Sequence, residues 1–130
     1  MNATGFLKRS IADQTGFLSY SLDALLSNTS GECLFGFSGS GNQINYRLLN
    51  GKVYSDDSSY VGNYDKNVPV TISGNLGEIT NDLYLNGLPA YLGKSKPTGK
   101  FSHFYISPQG VSVDFSLYIA GEIPSYKFET

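Results

Sequence analysis

From Val111 to Ile119 the chain alternates: Val111, Val113, Phe115, Leu117 and Ile119 are apolar, with Ser112, Asp114, Ser116 and Tyr118 between them. A period of two sends successive side chains to opposite faces, so this segment predicts a strand buried on one face only. The same alternation runs through Leu18, Tyr20 and Leu22; Cys33, Phe35 and Phe37; Ile44, Tyr46 and Leu48; Val68, Val70 and Ile72; and Phe104 and Ile106. Turn-forming clusters separate these runs: "SNTSG", "SGSGN", Asn50-Gly51, "SGNLG", Asn86-Gly87, "SKPTG" and Ser107-Pro108-Gln109-Gly110. An interval of about ten residues between such signals is that of an all-β sandwich or barrel.

Two of the turns say more. Asn-Gly readily takes the two positive φ angles of a type I′ turn, whose twist matches the strands it joins. Hairpins are therefore predicted for Gln43 to Leu49 with Lys52 to Ser55, and for Asp82 to Leu85 with Leu88 to Leu92. About seven to nine strands, each with one wet face, need a second layer to cover the other face. The expected fold is all-β, an antiparallel two-sheet β-sandwich of jelly-roll type. Helical spacing is confined to "SLDALLS", where Leu22, Leu25 and Leu26 suggest one turn, and to "KRSIADQ". A chain of 130 residues has room for one core, which predicts a single domain over 1–130 with residues 1–14 as an N-terminal arm.

Composition agrees and excludes several classes. With 40% hydrophobic, 14% aromatic and 15% charged residues the chain can close a core without staples. Nine basic and eleven acidic residues are scattered, so no basic stripe exists for nucleic acid. Cys33, the only cysteine, lies in the apolar run "CLFGF", where a buried thiol is expected. The N-terminal residues lack the basic and apolar regions of a signal peptide, and no apolar run approaches the ~20 residues of a membrane span. Asn2 and Asn28 begin glycosylation sequons, which carry little weight without a secretion signal.

Candidate chemistry is sparse. Glycosidase carboxylates must flank a cleft, yet Asp56-Asp57 are adjacent, so in an extended segment they face opposite ways. Glu78, Asp82 and Asp114 belong to separate elements and read as solvated turn acids. His103, the sole histidine, should share an outer face with Tyr105 as a surface residue. "GSGN" has neither a following helix nor a P-loop lysine and reads as a turn. These gaps lead to the expectation of a chain without enzymatic activity.

One segment stands apart. Residues 54–67, "YSDDSSYVGNYDKN", put Tyr54, Tyr60 and Tyr64 beside Asp56, Asp57, Asn63, Asp65 and Asn67. Aromatic faces for sugar rings, with carboxylates and amides for hydroxyl groups, suit a carbohydrate site. The site expected here is Tyr54, Asp56, Asp57, Tyr60, Asn63, Tyr64 and Asp65. No cofactor is expected, Ca²⁺ being the one metal such oxygens would hold. The simpler reading of the segment is a polar crossover rich in turn formers.

The runs "ECLFGFSGSGNQINYRLLNGKVYS", "NVPVTISGN" and "DLYLNGLPAYLG" resemble laminin G-like, concanavalin A-type jelly-roll domains. Tyr46, Leu48, Asn50, Gly51 and Lys52 match a hairpin of the form Y-x-L-x-N-G-K, and Leu83 to Gly87 match a later L-Y-L-N-G. The resemblance spans residues 16 to 120 and implies the sandwich fold. The chain has no Trp and no acidic residues that map onto that family's calcium ligands, so no inherited calcium or glycan site is implied. The closing "FSHFYISPQGVSVDFSLYIAGEIPSY" also looks like β-sandwich modules of tailed-phage structural proteins.

Two functions follow as expectations. The first is a structural or adhesion module of a virion, in a tail, fibre or capsid decoration, contacting other structural proteins as a homo-oligomer and with host glycan as a further partner. Ten tyrosines favour it, with Tyr118, Tyr105 and either Tyr20 or Tyr84 expected on outer faces. The alternative is a free, lectin-like carbohydrate-binding module, extracellular or at the cell surface.

Overall fold

The computed structural model describes residues 1–14, 18–28, 31–55, 59–65, 67–77, 79–95, 101–120 and 127–130. It is an all-β jelly-roll sandwich of two six-stranded antiparallel sheets. Sheet 1 runs β1(Asn2–Ala3), β12(Val113–Ile119), β3(Leu18–Leu26), β8(Val70–Leu76), β9(Thr80–Leu85), β10(Leu88–Ser95). Sheet 2 runs β2(Leu7–Gln14), β11(Phe101–Gln109), β4(Glu32–Ser38), β5(Gln43–Leu49), β6(Lys52–Tyr54), β7(Tyr60–Asn63).

The inward half of each alternating strand builds the core. Leu22, Ile72, Leu83 and Val113 from sheet 1 meet Phe35, Phe37, Leu48, Phe104 and Ile106 from sheet 2, all of them sealed from solvent. Burying each such side chain contributes roughly 1.5–3 kcal/mol, and together they do more than any other interaction to hold the layers together. Phe37 anchors an aromatic group, edge-on to Tyr20 at 4.9 Å and Phe104 at 5.5 Å. Both Asn-Gly hairpins form as expected. Asn50 (φ 52°) with Gly51 (φ 78°) joins β5 to β6, and Asn86 (φ 50°) with Gly87 (φ 81°) joins β9 to β10.

Several expectations differ from the structure. "SLDALLS" is no helical turn: β3 continues through it, pairing Leu25 with Asp114 and Leu26 with Val113. Strands on both sides of β3 offer a ladder there, and that outweighs the local leucine spacing. "KRSIADQ" is likewise strand β2, with Lys8 opposite Tyr105 and Arg9 opposite Phe104. Residues 1–14, expected as an arm, supply β1 to one sheet and β2 to the other. Val68 lies outside β8 and is exposed. Tyr118 is 66% exposed as expected, but Tyr20 is in the core and Tyr105 only 8% exposed.

A polar thread crosses the core. Tyr91 Oη donates to Tyr46 Oη (2.8 Å), which donates to Asn81 Oδ1 (3.2 Å), linking sheet 1 to sheet 2. The Tyr20 hydroxyl stands beside Tyr46 without an aligned hydrogen bond among the described residues, and burial raises its pKa far above the ordinary phenol value. Gly74 makes room for it, since a Cβ there would lie 2.8 Å from Tyr20 Oη. At the opposite edge the chain's last residues form a clasp. Lys8 and Glu129 exchange backbone hydrogen bonds of 2.8 Å, and Phe128 sets its ring against Phe104 and Phe115, one from each sheet.

Candidate functional site

The outward half of sheet 2 forms a cleft of about 420 Å³, within the range of small-ligand sites. Strand β5 turns Ile44, Tyr46 and Leu48 inward, which leaves Gln43, Asn45 and Arg47 outward in sequence. The register sets them in rows across the sheet. One row reads Lys8, Tyr105, Gly36, Asn45; the next reads Ser107, Leu34, Arg47, Tyr54, Tyr60. Tyr105 and Tyr54 stand on strands three spacings apart, about 14 Å, and flank a floor of Leu34, Asn45 and Arg47.

Gly36 shapes this floor. With no side chain between them, Tyr105 leans across β4 and its hydroxyl donates to Asn45 Oδ1. A Cβ on Gly36 would run into the Ile44 carbonyl oxygen, so the strands approach too closely for any other residue. Phe6, from the turn joining β1 to β2, stacks on the other side of Tyr105 at 6.0 Å and 20°. That cover is why an outward-facing tyrosine is buried. At the other end Tyr54 meets Tyr60 edge-on at 6.4 Å. Arg47 Nε lies 3.2 Å from Glu32 Oε2, an ion pair between half-exposed groups that contributes little to stability.

The residues picked from 54–67 are distributed unevenly around this cleft. Tyr54 lines it, and Tyr60, 55% exposed, stands on its rim. Asn63 is on the same face opposite Lys52, a row further along. Tyr64 packs against the core; its amide donates to the Gly51 carbonyl, and burial raises the hydroxyl's pKa. Asp65 is exposed beyond the end of β7. Asp56 and Asp57 lie outside the described residues. Among the described residues no three carboxylate, imidazole or thiolate groups converge to hold a metal.

His103 shares the outer face with Tyr105 as expected, with Ser102 Oγ 2.9 Å from Nδ1 and Ser10 Oγ 3.5 Å from Nε2. "GSGN" is the β4–β5 turn, where the Gly39 amide donates to the Asn42 carbonyl. Cys33 is sealed in the core and its thiol is pushed up to about 12 by burial. No helix among the described residues is long and apolar enough to cross a membrane.

Sequence reasoning missed Phe6, Leu34, Gln43, Asn45, Arg47, Tyr105 and Ser107. All but Phe6 occupy outward positions of β4, β5 and β11, and the alternation that marked the inward residues of those strands marked these as well. What the pattern lacked was strand order: β11 beside β4, and β4 beside β5.

No family model and no curated protein sequence matches the chain. Solved structures do. The chain superimposes on an alginate lyase of polysaccharide lyase family 7 with TM-score 0.62 and 12% identity, over 84% of this chain and 63% of the lyase. Against carbohydrate binding module CBM66 from Bacillus subtilis the TM-score is 0.63 at 14% identity, over 88% of this chain and 80% of the module. Against sheep galectin-11, solved with glycerol, it is 0.62 at 15% identity, over 86% and 95%. The chain spans under two thirds of the lyase and 14% of a sialidase that it also matches. These likenesses establish the concanavalin A-like sandwich. They also overturn the expectation of a chain without enzymatic activity: lyases and sialidases contain this fold, so a missing glycosidase carboxylate string does not set a chain apart from enzymes.

Proposed function

We propose that this chain is a lectin-like module that takes a glycan in the cleft on the outer face of sheet 2. The observation that carries the reading is the lining: rings of Phe6, Tyr54 and Tyr105 around the amides of Gln43 and Asn45 and the guanidinium of Arg47. Sugars present apolar ring faces and a rim of hydroxyl groups, and such a wall offers partners for both. A carbohydrate binding module and a galectin among the similar structures support the same reading. They lend none to the role on a viral particle, so the lectin-like alternative is the better supported of the two.

Screening the chain on an array of glycans, followed by calorimetry on the best binder, tests it. Tyr54→Ala should weaken binding about tenfold or more, since losing one stacking platform costs on the order of 1.5 kcal/mol. Asn45→Ala should weaken it further by freeing the Tyr105 hydroxyl. Binding that both variants leave unchanged would move the site elsewhere.

A further inference from the structure

We infer that the cleft is built for a saccharide carrying a carboxylate, a sugar of the uronate type; this rests on the glycan reading above and adds the ligand's charge to it. Among the described residues of the cleft wall Arg47 is the only one with a formal charge, and no Asp or Glu stands there. Its counter-ion, Glu32, sits on β4 in the neighbouring row and is met through Nε. That leaves the terminal Nη groups of a side chain that is 43% exposed and lines the cleft. Two parallel N–H donors at that spacing match the two oxygens of a planar carboxylate.

Charge across the molecule points the same way. Lys8 and Lys52 share the outward face of sheet 2 with Arg47. The outward positions of β3, β8, β9 and β12 in sheet 1 carry Asp23, Asp82 and Asp114 and no Lys or Arg. Those three acids are held by neighbours: Asp23 accepts from Thr71 Oγ1 (2.5 Å), Asp82 from the Gly93 amide (2.6 Å), Asp114 from Asn2 Nδ2 (2.6 Å). Among the described residues the strands of the cleft face thus turn Lys8, Arg47 and Lys52 outward against one carboxylate, Glu32, while these four strands of the other face turn out three carboxylates and no cation. An acidic chain would be drawn to the first face and turned away from the second.

The test is calorimetry of the full chain against oligosaccharides of galacturonate, glucuronate, mannuronate and guluronate. Each is paired with its carboxyl-reduced counterpart, which keeps the rings and hydroxyl groups but loses the charge. The expected result is an acid form bound about tenfold or more tighter at low salt, the advantage shrinking towards ~0.5 M salt. Arg47→Gln should erase the difference between the acid and reduced forms, the acid form losing about tenfold more affinity than the reduced form, with the melting temperature unchanged. Tyr54→Ala should weaken both forms, which marks the glycan reading itself. Equal affinity for the acid and reduced forms overturns the carboxylate inference and spares the glycan reading; no binding of either form overturns both. A sulfated oligosaccharide of equal charge bound as tightly as the uronate would also overturn it, because charge without a planar carboxylate would then suffice.

Discussion

Tyr46 and Tyr20 lie side by side in the core, yet their hydroxyls should behave in opposite ways. Tyr46 Oη satisfies both Tyr91 and Asn81, so Tyr46→Phe leaves buried polar partners unmatched and should cost about 1–3 kcal/mol in urea unfolding. Tyr20 Oη has no aligned partner among the described residues; Tyr20→Phe should be neutral or stabilising by up to ~1 kcal/mol. Equal losses from the two variants would show that Tyr20 is tied into the thread after all. Cys33 adds a pH dependence. Its folded pKa, about 12, stands above the ordinary thiol value of 9.0. The folded state therefore keeps a proton that the unfolded chain gives up, so this contribution is intact below pH 9 and is lost as pH rises towards 12. Cys33→Ala should have a melting temperature that falls less steeply over that window than the parent's. Tyr20, buried, and Tyr64, partly buried, are raised in the same direction and remain in both proteins.

At the scale of elements, β12 and the two hairpins were legible because local chemistry and tertiary structure agree on them. Phe115 points inward from β12 and meets Phe128 at 5.0 Å; Phe115→Ala should cost roughly 3–5 kcal/mol. Gly87→Ala meets no steric obstacle, so its loss reflects the positive φ of 81° alone and should be about 1–2 kcal/mol. Gly36→Ala should cost more, because the added Cβ strikes backbone. It should also weaken glycan binding by separating Tyr105 from Asn45. Equal effects of the two glycine variants on stability would argue against the close strand approach at Gly36. The end of β3 and the whole of β2 were not legible. Leu22, Leu25 and Leu26 satisfy helical spacing, and Lys8, Arg9 and Ser10 carry no alternation that stands out. Only the partners on either side, β8 and β12 for β3 and β11 for β2, make them strands. Arg9 shows the limit: it is buried on the inward face with its guanidinium 5.8 Å from the Phe128 ring, a position no pattern of apolar residues marks.

The whole molecule is a sandwich whose two outer faces differ in kind. Among the described residues, β3, β8, β9 and β12 of sheet 1 present hydroxyls, amides and three carboxylates, while sheet 2 presents the aromatic cleft with Arg47 and, around it, Lys8, Lys52 and Glu32. The sequence showed that outer faces exist but not which would matter. It drew attention to 54–67 through that segment's density of Tyr, Asp and Asn, whereas the cleft is assembled from single outward residues of β4, β5, β6 and β11 and from Phe6. Tyr54 is the point where the two views coincide. Residues that far apart in the chain converge only through strand order, which composition does not encode. The measurement that tests the account most directly is a two-dimensional amide NMR titration of the isotopically labelled chain with the best-binding glycan. Shifts gathered on Leu34, Asn45, Arg47, Tyr54 and Tyr105 are the predicted result; shifts gathered on the outward residues of sheet 1, or none at all at saturating glycan, would contradict it.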